Sequence, residues 1–246
     1  MGEGPVVVLV HGIASSGATF ERLVPLIEEG HRCISIDLLG FGESPVPEGA
    51  TYTIEEHVAA LDRTIDSLRL REPFTLVGHS LGGLLAARYA AQHRREVAHL
   101  VLVAPPVYLT PSELGDPRVR AQVGAYLKVY EFMRNNKDFT IGASAQVVKL
   151  FALGKTLDIT ERNWTPFVKS LQHCIESQTT VSDIASVAAP VDVVYGTLDQ
   201  FLAPGPLKIV EQMRNVTMHR VEVSDHVLRS RLARAVANVI SPRGAD

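Results

Sequence analysis

Short apolar runs alternate with longer stretches of helical period along most of the chain. Val6–Val10 is an unbroken aliphatic run, the pattern of a strand buried on both faces. Residues 19–27 read as a short helix. Residues 33–36 form a second strand, which ends in Asp37-Leu-Leu-Gly-Phe-Gly-Glu-Ser44 and a loop rich in proline and glycine. Thr53 caps a long amphipathic helix with Glu55 and Glu56 in its first turn and Val58, Leu61, Ile65 and Leu68 on one face. Residues 74–77 make a third strand, leading into a helix over Leu81–Gln92. Strands over Val97–Val103, 191–195 and 217–223 continue the series, with helices near 206–213 and 227–240 after the last two. Alternation of this kind predicts an α/β fold: a mostly parallel sheet with helices on both faces.

One interval breaks the rhythm. Between Pro106 and about Ala185 there are helical patterns and no convincing buried strand. This interval holds the only tryptophan, Trp164, and many of the aromatics, among them Tyr108, Tyr130, Phe132, Phe151 and Phe167. Inserted between two sheet strands, it reads as a helical lid over their C-terminal ends, residues 107–185, with the core formed by 1–106 and 186–246. The plainer alternative is a helical subdomain that uses its aromatics for its own core.

Composition narrows the classes. The chain has 246 residues, 46% hydrophobic and 21% charged, with a net charge of −3. Nucleic-acid binders usually carry a concentrated basic face, so no nucleic acid is expected. No apolar run approaches the roughly 18 residues that span a bilayer, and the start lacks a basic segment and a long apolar stretch. Cys33 and Cys174 stand far apart with no metal-ligand spacing, so neither a disulfide scaffold nor a zinc site is expected. The default location is the cytoplasm.

The chemistry gathers at strand ends. Gly78-His79-Ser80-Leu81-Gly82 matches G-x-S-x-G between a buried strand and a helix, the context in which that motif raises a nucleophile above a sheet. A serine hydroxyl needs a base, and the base needs an orienting group. Of nine histidines, His226 directly follows the last strand and precedes the terminal helix. His11 reads as structural, and the turn aims the side chain of His79 away from the nucleophile. Asp199, after a strand and a glycine turn, is the favoured acid; Asp192 opens its strand at the wrong end and Asp225 adjoins His226. Gly12 lets backbone approach a substrate, and the N–H groups of Ile13 and Leu81 are the candidate oxyanion donors. Phe201, Val227, Tyr130 and Trp164, with Gly12, are the candidates for substrate contact.

Together these residues resemble the α/β-hydrolase superfamily: His11-Gly12, the Asp37–Ser44 segment, the turn around Ser80, Gly196-Thr-Leu-Asp199 and His226, across nearly the whole chain. The chain order Ser, Asp, His is the one this fold uses. The resemblance implies Ser80 as nucleophile, His226 as base and Asp199 as acid, with no metal or organic cofactor. Relatives usually carry a β-hairpin before the His-Gly strand, and here about five residues precede Val6. The second strand is then an exposed apolar edge through which a homodimer could form. Relatives also often have glycines before the histidine, where this chain has Val-Ser-Asp. A serine at the turn disfavours haloalkane dehalogenases and epoxide hydrolases, which use aspartate there. The expectation is a carboxylesterase or small-substrate lipase acting on a small molecule with an apolar acyl or alcohol group. The alternatives are a hydrolase of carbon–carbon bonds in a diketone-like compound, a lyase or synthase, or a small-molecule receptor.

Overall fold

The computed structural model describes residues 2–109, 116–150 and 158–242. Phe151 and the tail from residue 243 lie outside the described residues. Among the described residues six strands form one sheet: β1 (Val6–Val10), β2 (Arg32–Ile36), β3 (Phe74–His79), β4 (Val97–Val103), β5 (Val191–Gly196) and β6 (Val216–Val221). Their order is β2-β1-β3-β4-β5-β6, and every neighbouring pair is parallel. β2 is therefore an edge strand.

The continuous apolar runs follow from burial on both faces. Val8 and Val10 of β1 pack into one hydrophobic cluster, and Val7 and Leu9 into another on the opposite face. The first cluster takes in α2 (Ile54–Ser67) and α3 (Leu81–Gln92); the second takes in α1 (Val24–Ile27) and α9 (Ser230–Ile240). Thr53 Oγ1 accepts the Glu56 N–H at 3.2 Å, so α2 begins where its capping residue predicts. Between β4 and β5 the described residues hold no strand. They form α4 (Pro117–Asn135), α5 (Lys137–Leu150), α6 (Trp164–Ser170), a π-helical turn over Leu171–Ile175, and α7 (Thr180–Ser186). The short α8 (Pro204–Glu211) links β5 to β6.

Of the boundaries that differ from the sequence reading, three have a local cause. The helix expected over 19–27 is split into a 3₁₀ turn, Gly17–Phe20, and the separate α1. Pro25 lacks an N–H and fits the first turn of a new helix better than the interior of an old one. The last strand stops at Val221, because Val223 turns to φ +54° and gives its N–H to Thr197 Oγ1 instead of a strand partner. The terminal helix starts at Ser230, not at 227, because residues 225–229 form a tight turn: Val227 N–H donates to Asp225 Oδ1, and Arg229 N–H donates to Val227 O.

The strand order reverses direction at β1, with β2 on one side and β3 on the other. In open α/β sheets the crevice at such a switch, beyond the C-terminal strand ends, is where ligands bind. Gly12 follows β1 there, and Ser80 follows β3.

Candidate active site

Ser80 makes the whole turn between β3 and α3. Its backbone sits at φ +53°, ψ −124°, a conformation that strains any residue with a Cβ. Hydrogen bonds on both sides hold it: Ser80 N–H donates to Val103 O at 2.9 Å, and Ser80 O accepts from Gly83 N–H at 2.8 Å. The flanking glycines allow strand and helix to cross at backbone contact. A Cβ at Gly78 would lie 2.3 Å from Gly82 O, and one at Gly82 would lie 2.2 Å from Val10 O.

The loops after β5 and β6 are tied together. Thr197 N–H donates to Val221 O at 3.0 Å and Leu198 N–H to Ser224 O at 2.9 Å. This pairing sets Asp199 beside His226, with the His226 Nδ1 to Asp199 Oδ2 distance 2.8 Å. A carboxylate accepts, so Nδ1 carries the proton and Nε2 presents its lone pair. Ser80 Oγ stands 2.9 Å from that Nε2 and donates to it. The second Asp199 oxygen accepts the Phe201 N–H at 2.9 Å, and the Asp199 side chain is wholly buried. Asp192 has other partners: His99 Nε2 at 2.6 Å and His219 Nε2 at 2.5 Å.

The loop after β1 is shaped by His11. Its Nε2 accepts the Leu38 N–H at 3.0 Å, so Nδ1 is the protonated nitrogen and donates to Gly12 O at 2.7 Å. Burial pushes its pKa down to about 4, which keeps the ring neutral. With Gly12 O turned toward His11, the trans peptide directs the Ile13 N–H the opposite way. Among the described residues that N–H has no hydrogen-bond acceptor. The Leu81 N–H is in the first turn of α3, where helix amides lack partners within the helix. A Cβ at Gly12 would lie 2.9 Å from Ser80 Cβ, so this loop reaches Ser80 only as glycine.

A cavity of about 400 Å³ opens over Ser80 and His226. Tyr130, Met133, Ile159, Phe167, Leu171 and Ile175 of the helical segment line it from one side. Gly12, Ile13, Phe201 and Val227 of the sheet-end loops line it from the other.

A family model described as the alpha/beta hydrolase fold matches residues 5–227. The chain belongs to this family. It is 38% identical over 116 residues to "Probable lysophospholipase BODYGUARD 3" of Arabidopsis thaliana, a match covering 46% of this chain and 23% of that protein. It is 33% identical over 150 residues to "Cis-3-alkyl-4-alkyloxetan-2-one decarboxylase" of Xanthomonas campestris pv. campestris, covering 58% of this chain and 50% of the relative. The chain thus spans half or less of either relative's length. The solved esterase of Exiguobacterium antarcticum superposes with a TM-score of 0.77 over 98% of this chain and 92% of that one. At 18% identity that likeness concerns the fold alone.

Within this α/β-hydrolase framework the structure gathers Ser80, His226 and Asp199 into one hydrogen-bonded chain. It places Gly12, Ile13, Phe201, Val227 and Tyr130 on the cavity wall and Leu81 directly after Ser80. Trp164 does not join them. It opens α6, half-buried, with its ring 5.8 Å from that of Phe167, and Phe167 occupies the wall in its place. His79 does more than point elsewhere. Its Nε2–H donates to the His226 carbonyl at 2.9 Å, and the two rings lie 5.1 Å apart. Burial lowers the His79 pKa to about 3, so it holds the His226 loop as a neutral donor. The doublet His79-Ser80 was the only local signal for that contact. Its partner lies 147 positions away.

Proposed function

We propose that this chain hydrolyses carboxylic esters, or similar acyl compounds, through an acyl-enzyme on Ser80. Ser80 Oγ attacks the carbonyl carbon while its proton passes to His226 Nε2. The oxyanion that forms is held by the Ile13 and Leu81 N–H groups. Asp199 stabilises the imidazolium through Nδ1 and keeps the ring in the tautomer that can accept at Nε2. Collapse of the intermediate expels the alcohol, which takes the proton from Nε2. Water then attacks the acyl-enzyme with His226 again as base, and the carboxylic acid leaves.

The observation that carries this reading is the unbroken chain Ser80 Oγ, His226 Nε2, His226 Nδ1, Asp199 Oδ2, with links of 2.9 Å and 2.8 Å. The largely aliphatic and aromatic cavity wall favours a substrate with an apolar acyl or alcohol group. A cyclic ester is the second substrate reading. The 33% identity to a protein named for an oxetan-2-one favours it, because that ring presents the same acyl carbonyl.

The test pairs turnover with labelling. Wild type and Ser80→Ala are assayed on p-nitrophenyl esters of rising chain length and exposed to a fluorophosphonate, followed by intact mass. Turnover and a single adduct, both lost in Ser80→Ala, are expected. An unlabelled, inert wild type that binds the same esters tightly would sink the hydrolase reading in favour of a receptor.

A further inference from the structure

We propose that Tyr108 is a positioning residue for the acid–base pair, and that through it the seating of α4 over the cavity is transmitted to Asp199 and His226. This rests on the hydrolase reading for what the pair does, and on hydrogen bonds and one ring contact for how it is held.

Three contacts converge on Phe201. Its N–H donates to Asp199 Oδ1 at 2.9 Å, and its ring meets that of His226 edge-on, with centroids 4.8 Å apart. Its carbonyl accepts the Tyr108 hydroxyl at 2.8 Å. One residue therefore touches the acid through its amide and the base through its ring. The only bond among these that reaches Phe201 from outside the acid and base loops comes from Tyr108.

The direction of the relay follows from donor counting. A carbonyl only accepts, so the single Tyr108 proton goes to Phe201 O. The contact between the Tyr108 and Tyr130 hydroxyls, 3.1 Å, must then run from Tyr130 to Tyr108. Tyr130 belongs to α4 and lines the cavity. Burial raises the pKa of both phenols, that of Tyr130 to about 12, so both remain donors throughout the working range. Tyr108 is anchored independently: its N–H donates to Gln178 Oε1 at 3.0 Å, and Gln178 Nε2 returns to Pro106 O at 2.9 Å. The hydroxyl thus comes from a fixed base to a loop that carries the catalytic acid.

Tyr108→Phe keeps the ring and removes only the donor. Its kcat on a short p-nitrophenyl ester should fall about tenfold at nearly unchanged KM, the scale for losing one hydrogen bond that orients the transition state. Ser170→Ala is the control for a purely structural loss, because it also deletes one buried hydroxyl, bonded to His57 Nε2 at 2.9 Å. It should match the fall in melting temperature while leaving kcat within about twofold. A readout independent of turnover is the downfield proton resonance of His226 Nδ1–H, identified by its loss in Asp199→Asn. It should broaden in Tyr108→Phe and persist in Ser170→Ala. If wild type lacks esterase activity but the resonance responds in this way, the hydrolase reading fails and the positioning role stands. Unchanged kcat and an unchanged resonance in Tyr108→Phe overturn the proposal. Should that variant not fold, the Tyr108 hydroxyl proton of wild type decides: bonded to Phe201 O, it is expected to exchange slowly with solvent, and rapid exchange overturns the role.

Discussion

Asp199 holds His226 with one carboxylate oxygen and its own loop with the other: Oδ2 is 2.8 Å from the imidazole Nδ1, and Oδ1 is 2.9 Å from the Phe201 amide. A carboxylate satisfies both donors at once. In Asp199→Asn the side chain keeps only one acceptor, and its NH₂ group faces a donor whichever way it is turned. If the oxygen stays with the Phe201 amide, the imidazole is driven to the wrong tautomer. The turnover number should then drop by roughly 10⁴, with substrate binding retained. Steady-state kinetics on a single ester checks this, and near wild-type turnover would mean that another group orients the base.

The crossing of β3, α3 and β1 at Ser80 makes a second expectation. An added Cβ at Gly82 meets backbone oxygens, Val10 O at 2.2 Å and His11 O at 2.4 Å, which move only if β1 moves. Gly82→Ala should cost about 3 kcal/mol or more and abolish activity together with the strained turn. Gly124 is the contrast: it lies inside α4, an added methyl there meets nothing within 4 Å, and its φ is outside the left-handed region. Gly124→Ala should therefore raise stability by about 0.5–1 kcal/mol. Calorimetric melting of both variants tests the pair, and a Gly82→Ala chain that melts with wild type would contradict the packing described.

What could be read in advance was local. The continuous run Val6–Val10 and the glycines around Ser80 state their environment within a few residues, because burial on both faces and a backbone crossing each leave a short signature. The meeting of Asp199 and His226 was legible because each follows a strand, and parallel strands end on the same side. Tyr108 was visible only as one aromatic among many, since its partner Phe201 lies 93 positions on. The exclusion of Trp164 from the wall depends on how α6 is rotated, which two neighbouring aromatics, Trp164 and Phe167, leave open.

The cavity wall contributed by α4 invites a test of chain length. Met133 lines the cavity, and a tryptophan there would fill space that the proposed function assigns to an extended acyl group. Met133→Trp should lower kcat/KM for an octanoyl ester by about tenfold or more and leave an acetyl ester within about twofold, since a few lost methylene contacts account for that ratio. Equal losses on both esters would place the chain elsewhere in the cavity.

Acid should weaken the fold through histidines outside the proposed proton transfer. His11, His57 and His79 have an ordinary pKa of 6.5, and burial lowers it to about 4, 4 and 3 in the folded chain. Their folded values are depressed, so between about pH 6.5 and 4 the unfolded chain binds more protons than the folded one. Stability from these groups is complete above 6.5 and falls as the pH drops through that window, by up to about 1.4 kcal/mol per pH unit for each histidine. His57 offers the cleanest handle, since it bonds Ser170 at 2.9 Å and stacks on Phe41, remote from Ser80 in the hydrogen-bond network. His57→Gln retains a polar side chain that cannot take up a proton. Urea titrations from about pH 7 to 5 should show wild type losing stability faster than His57→Gln, by close to one proton's worth of slope. Parallel slopes would mean that His57 titrates in the folded chain as it does in the unfolded one.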